Sequence, residues 1–142
     1  MSLLSRKALL AVAAVIDVAL HARGRLVSAK DLAARHDLPA RHLEPVLQAL
    51  VREGILKGVR GPRGGYELAR DRRRITVNDI LKAASVGEDG EEAAQSGSGL
   101  LEQVVTPAIA QAEKVFVAAL NRITIEDLVR RAEPFAKLTG ES

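Results

Sequence analysis

Apolar residues recur every three or four positions through residues 5–53, and the pattern divides there into three helices. Ser5 can cap the first, whose face of Leu9, Val12, Ala13, Ile16, Ala19 and Leu20 is expected to enter the core before the helix ends near Arg23-Gly24. Ser28, with Asp31 three residues on, opens a short second helix with Leu32 and Ala33 inward, ending around His36-Asp37. A tight turn and Leu38-Pro39-Ala40 lead into a third, with Leu43, Val46, Leu47 and Leu50 on one face and Gly54 as its stop.

The period then collapses. Over residues 54–69, two short apolar runs flank a loop of glycine, proline and arginine, which predicts a β-hairpin with Ile55, Leu56 and Val59 on one strand and Tyr66 to Ala69 on the other. Gly61, Gly64 and Gly65 allow positive φ, and Pro62 stiffens the bend. Arg60 and Arg63 are thereby held out on a tip with few conformations, which lowers the entropy lost when a guanidinium meets a phosphate or a groove edge. Read alone, the tip is equally a solvated loop. Two short helices joined by a tight turn and followed by such a hairpin make a winged helix-turn-helix.

Helical spacing resumes at Thr76, which with Asp79 caps a fourth helix carrying Val77, Ile80, Leu81 and Ala84 inward. Residues 86–99 are polar, acidic and glycine-rich, as expected of a flexible loop. From Leu100 to Arg122 a stripe of Leu101, Val104, Val105, Ala108, Ile109, Ala112, Val115, Phe116, Ala119 and Leu120 is too broad for a lone surface helix and calls for a partner. Thr124, with Asp127, caps a last short helix with Leu128 and Val129 inward, fraying from about Glu133. The expected architecture is mainly α: a winged domain over residues 1–85, the acidic loop over 86–99, and a dimerisation helix with a short C-terminal helix over 100–142.

Composition narrows the function. The net charge of +3 hides an asymmetry: residues 1–85 hold 16 Lys and Arg against 8 Asp and Glu, a formal +8, whereas the remainder is −5. A basic first part suggests a polyanionic partner. Arg72, Arg73 and Arg74 contribute to it, or form a solvated turn. The chain has no cysteine, which excludes disulfides, thiol catalysis and thiolate metal sites. Aromatic residues make up 2% of it, too few for base-stacking platforms. The apolar stretch from Ala8 to Leu20 contains Asp17 and is too short to span a bilayer, so a cytoplasmic protein is expected. No phosphate loop, nucleophile elbow or HExxH zinc motif suggests an enzyme.

The order Leu32-Ala33, Leu43-Glu44, Leu47, Leu50, Gly54-Ile55-Leu56, Val59-Arg60-Gly61-Pro62, Gly64-Gly65-Tyr66, Leu68-Ala69 and Ile75-Thr76-Val77 resembles the Rrf2 family of bacterial transcription regulators, of the IscR, NsrR and CymR type. The similarity extends to Val18-Ala19-Leu20 and to the run from Asn121 to Leu128. The resemblance implies a homodimer on a double-stranded DNA operator, with the third helix in the major groove and the wing in the minor groove. It puts Arg41 and Glu44 at base edges, Arg60 in the wing contact, and Ser5, Arg6 and Lys7 near the backbone; Gly61, Arg63 and Gly64 of the wing, Ser28 and His42 join them as candidate DNA contacts. Arg41 can bond guanine bidentately and Glu44 can accept from cytosine N4, unless Glu44 only pairs with Gln48 or a helix-end charge. Leu101, Val104, Val105, Ala108, Ala112, Val115 and Ala119 are the dimerisation positions.

Three departures from the family pattern stand out. Cluster-bearing members place three cysteines where this chain has Glu88 to Leu101, so a family-type iron–sulfur cluster is not expected, and the alternatives for regulation are a small effector ligand, a partner protein or no effector at all. Pro45 stands inside the third helix where glutamine is common, which should bend or shift the helix start. Leu10 stands where tyrosine is usual. His21 sits at a helix end, with His36 and His42 around the turn, and no metal site is expected of them. The competing function is a winged-helix protein-interaction module that has lost specific DNA binding, which Pro45 makes conceivable and the basic charge opposes.

Overall fold

A computed structural model describes residues 4–21, 25–85 and 99–138, and in them the helices and hairpin follow in the expected order. Helix α1 spans Arg6–His21, α2 Ala29–Arg35 and α3 Ala40–Arg52; strands β1, Leu56–Val59, and β2, Gly65–Leu68, form the hairpin. A single 3₁₀ turn, Arg72–Arg74, leads to α4, Val77–Ser85. A π turn over Leu101–Val105 runs into α5, Thr106–Leu120, and α6 spans Ile125–Leu138.

The caps appear where hydroxyls precede apolar runs. Ala8 N–H donates to Ser5 Oγ and Asp31 N–H to Ser28 Oγ, each at 3.1 Å. Thr76 with Asp79, and Thr124 with Asp127, form reciprocal boxes with all four bonds at 3.1 Å. The two boxed helix starts lie side by side: Val77 N–H donates to Ile123 O at 2.9 Å and Ile125 N–H to Ile75 O at 2.8 Å. Gly54, at φ +75°, ends α3 as expected.

Helices α1, α3, α4 and α6 enclose the core with the base of the wing, and Leu32, Leu43, Leu47, Leu50, Ile80 and Ile125 are fully buried. The expected inward face of α1 is corrected in part. Ala11, Ala14, Val15 and Val18 have no exposure, Val12, Ile16, Ala19 and Leu20 are half-buried against the core as expected, and Leu9, 45% exposed, and Ala13 lie outside it. The helix is apolar on nearly all sides, so periodicity could not orient it; packing against α4 and α6 selects the small side chains, which allow close approach.

The wing departs from expectation in why it needs its glycines. Gly61 has φ +124°, but Gly64 and Gly65 do not have positive φ. They are required by close approach: a Cβ on Gly64 would strike Val59 O, and one on Gly65 would lie 2.6 Å from Val27 O. Val27, absent from the sequence-level hairpin, adds a third rung by exchanging hydrogen bonds with Tyr66 at 3.0 and 2.7 Å. The strands pair Leu56 with Leu68 and Val59 with Gly65, so the second strand starts one residue before the expected Tyr66, and Ala69 N–H donates to Ile55 O at 3.0 Å just beyond it.

Helix α3 runs as one element through Pro45, so the proline removes a backbone donor without ending the helix. In α5, Pro107 likewise cannot donate to Gln103, and the ladder adjusts by the π turn, in which Thr106 N–H reaches Leu101 O. The last helix continues to Leu138 through Pro134 instead of fraying at Glu133. The acidic loop of residues 86–99 lies outside the described residues except for Gly99.

Candidate nucleic-acid interface

Burying Leu43, Val46, Leu47 and Leu50 leaves one solvent-facing row on α3, formed by Arg41, Glu44, Pro45, Gln48 and Arg52 at helical spacing. A hollow flanks each end of the row. Toward the C-terminus of α3, a groove of about 660 Å³ separates Gln48, Val51 and Arg52 from the wing, with Ser28, Arg60, Gly61 and Gly64 also lining it. At the other end, a hollow of about 710 Å³ collects Arg6, Lys7, Arg41 and His42 from α1 and α3. Arg63 is exposed on the tip beyond the groove, and Glu44 lines neither hollow.

Most sequence-predicted contacts are thus brought to one side of the molecule, along α3 and its two flanks. Ser5 and Ser28 already use their side-chain oxygens as helix caps. Among the described residues, Arg6, Arg41, Arg52, Arg60 and Arg63 have no carboxylate partner. Elsewhere Arg35, Arg70, Arg72 and Arg130 pair with carboxylates of the chain itself. Arg72, from the basic run, pairs with Glu126 at 2.6 Å and fastens the 3₁₀ turn to α6. Gln48 and Arg52 escaped sequence reading as groove residues, although their spacing from Arg41 was visible.

Behind this face lies a cluster that no motif announced. Asp17, 6% exposed, accepts from Arg35 Nε at 2.9 Å and Nη2 at 2.6 Å, and from His36 Nε2 at 3.1 Å. His21 Nδ1 approaches the same carboxylate at 3.2 Å and donates to the Asp17 carbonyl at 3.0 Å. The cluster clamps the end of α2 to α1 and so sets where the turn before α3 begins. Among the described residues no group of three or more His, Asp or Glu is arranged to hold a metal ion, and none of the helices is long and apolar enough to cross a membrane.

A family model described as Rrf2, iron-dependent transcriptional regulator, matches residues 4–131. The chain belongs to the Rrf2 family. It is 33% identical over 135 residues to the HTH-type transcriptional regulator IscR of Xenorhabdus nematophila, covering 92% of this chain and 80% of that protein. Among solved structures, T. potens IscR superposes with a TM-score of 0.72 at 31% identity, covering 92% of this chain and 88% of that one. CymR of B. subtilis, titled a global cysteine regulator, gives 0.69 at 25% identity, covering 92% and 98%. The family model and the Xenorhabdus relative are named as transcriptional regulators and CymR as a regulator, none of them as an enzyme, and this chain is a winged-helix DNA-binding regulator of that family.

The iron dependence in the family description does not fit a cysteine-ligated cluster here, because the chain has no thiolate to supply.

Proposed function

We propose that the protein is a homodimeric, sequence-specific repressor in the cytoplasm that works without the family-type iron–sulfur cluster. The observation that carries this reading is the run of unpaired cations, Arg6, Arg41, Arg52, Arg60 and Arg63, laid along α3 and its flanks. The exposed row of α3 enters the major groove, where Arg41 reads guanine and Glu44 reads cytosine, and Arg60 enters the adjacent minor groove. Lys7, His42 and the Ser5 and Ser28 helix starts meet the phosphate backbone. Pro45 contributes a ring with no N–H at the centre of the base-facing row.

Dimerisation is supported by α5, which among the described residues packs on its own domain toward its C-terminal end, where Leu120 and Phe116 meet Ala8, Val77 and Leu81. Leu101, Val104, Val105, Ala108, Ala112, Val115 and Ala119 are all exposed, with Val104 at 58% and Val115 at 73%. Covering each Leu or Val on a second copy contributes about 1.5–3 kcal/mol at full burial, enough to pair the helices. A two-fold dimer requires an operator of two inverted half-sites.

Fluorescence anisotropy on DNA from the region upstream of the protein's own gene tests the reading. A dimer that neutralises six phosphates gives a log-affinity against log-salt slope of about −5. Arg60→Ala weakens specific binding by about 1–3 kcal/mol and relaxes preference at the wing-contacted positions, whereas Arg63→Ala costs less and does so on all sequences alike. Salt-insensitive or absent binding would leave the protein-interaction module as the better account.

A further inference from the structure

The hollow between α1 and α3 has a floor that DNA contact does not explain. Leu9, Leu10 and Ala13 of α1, Leu38 of the turn, and Pro45 and Val46 of α3 line it, and Leu9 is left 45% exposed. Its rim is wholly basic or imidazole: Arg6, Lys7, Arg41, His36 and His42, with no carboxylate lining it. His36 is held in place by Asp17 at 3.1 Å, while the side chains of Arg6, Arg41 and His42 make no hydrogen bond or ion pair among the described residues. Leu10 and Pro45, two positions where the chain departs from the family pattern, both line this space.

We propose that this hollow is an effector site for a medium-chain monocarboxylate, whose apolar body covers the floor and whose head engages the basic rim. The volume of about 710 Å³ lies within the range of small-molecule sites. A planar carboxylate suits a guanidinium fork, and the absence of any acidic lining residue disfavours a cation. Phosphate and sugar of a duplex offer nothing for the leucine floor. Resting on the DNA-binding reading above, the inference assigns regulation by competition: Arg6, Arg41 and His42 cannot serve the ligand and the operator together, so the carboxylate selects the DNA-free protein.

The test uses the full chain and octanoate as the probe. Titration of methyl-labelled protein without DNA shifts the signals of Leu9, Leu10, Leu38 and Val46, and octanamide, which lacks the charge, binds about tenfold more weakly or worse. At saturation octanoate lowers operator affinity about tenfold or more in the anisotropy assay. Ala13→Leu, a change both compatible with a helix and directed at the floor, lowers octanoate affinity about tenfold while operator affinity stays within about twofold. Methyl shifts in the unmodified protein decide the site even if that variant does not fold. Absence of those shifts at millimolar octanoate, equal binding of octanamide, or unchanged operator affinity at saturation would overturn the proposal. DNA binding without any octanoate effect removes the effector site alone, whereas octanoate binding by a protein that ignores DNA removes the repressor reading instead.

Discussion

Replacing Asp17 by alanine tests whether a buried carboxylate holds the helix-turn-helix together. Removing one partner of a fully buried ion pair costs about 3–5 kcal/mol, because the other charge is left without compensation. Here the partners are only partly buried, with the side chains of Arg35 and His36 exposed by 26% and 25%. Water recovers some of their solvation, which places the expected loss at about 2–3 kcal/mol. For a chain of this size that lowers the melting temperature by about 4–12 °C. Urea unfolding followed by far-ultraviolet circular dichroism measures the loss, and a double-mutant cycle with Arg35→Ala isolates the pair at about 1–2 kcal/mol of coupling. A loss below about 0.5 kcal/mol, which is ordinary for a surface substitution, or a cycle without coupling, would refute the reasoning.

Gly65→Ala should destabilise the protein by about 2 kcal/mol, since the methyl would stand 2.6 Å from Val27 O and disrupt the two Val27–Tyr66 hydrogen bonds. Gly58→Ala is its control: the nearest atom is Tyr66 Cε1 at 3.5 Å, and denaturation should show little change or a slight gain. Ile109→Glu with Val115→Glu places charges on the exposed face of α5 and should return the 15.2 kDa monomer by light scattering; a persistent dimer would move the interface elsewhere. The Asp127 carboxyl is held below its ordinary value mainly by the Thr124 backbone N–H, then by the Thr124 hydroxyl and, to a lesser extent, by Arg130 and Arg131, against an opposing effect of desolvation. Its contribution to stability is therefore complete above the ordinary carboxylate range and is lost as pH falls through the lowered value. Asp127→Asn should flatten this part of the acid limb in a pH series of urea titrations, and an unchanged limb would count against the cap.

The local chemistry of this chain was written in short segments, and there the sequence was sufficient. A hydroxyl before an apolar run supplies an acceptor to the first free amides wherever the helix goes, so Ser28, Thr76 and Thr124 could be identified without knowing their neighbours. The strongly two-sided α3 likewise had one possible orientation, and the buried Leu43, Leu47 and Leu50 follow from it. The basic wing and α3 stood out for the same reason: their arginines are close in sequence to the glycines and turns that present them.

What remained for tertiary structure were choices among equally apolar faces and meetings of distant residues. Helix α1 could have turned several ways, and only packing against α4 and α6 decided that Ala14 and Val18 would be buried and Leu9 would border a cavity. Asp17 read as one charge in an apolar stretch, because Arg35 and His36 reach it only after α2 folds back on α1. Gly64 and Gly65 looked like residues chosen for backbone freedom, but the constraint on Gly65 is the nearness of Val27, a residue outside the hairpin. Local propensity acts over a turn or two of chain, whereas steric exclusion and charge compensation act between whatever surfaces the fold brings into contact.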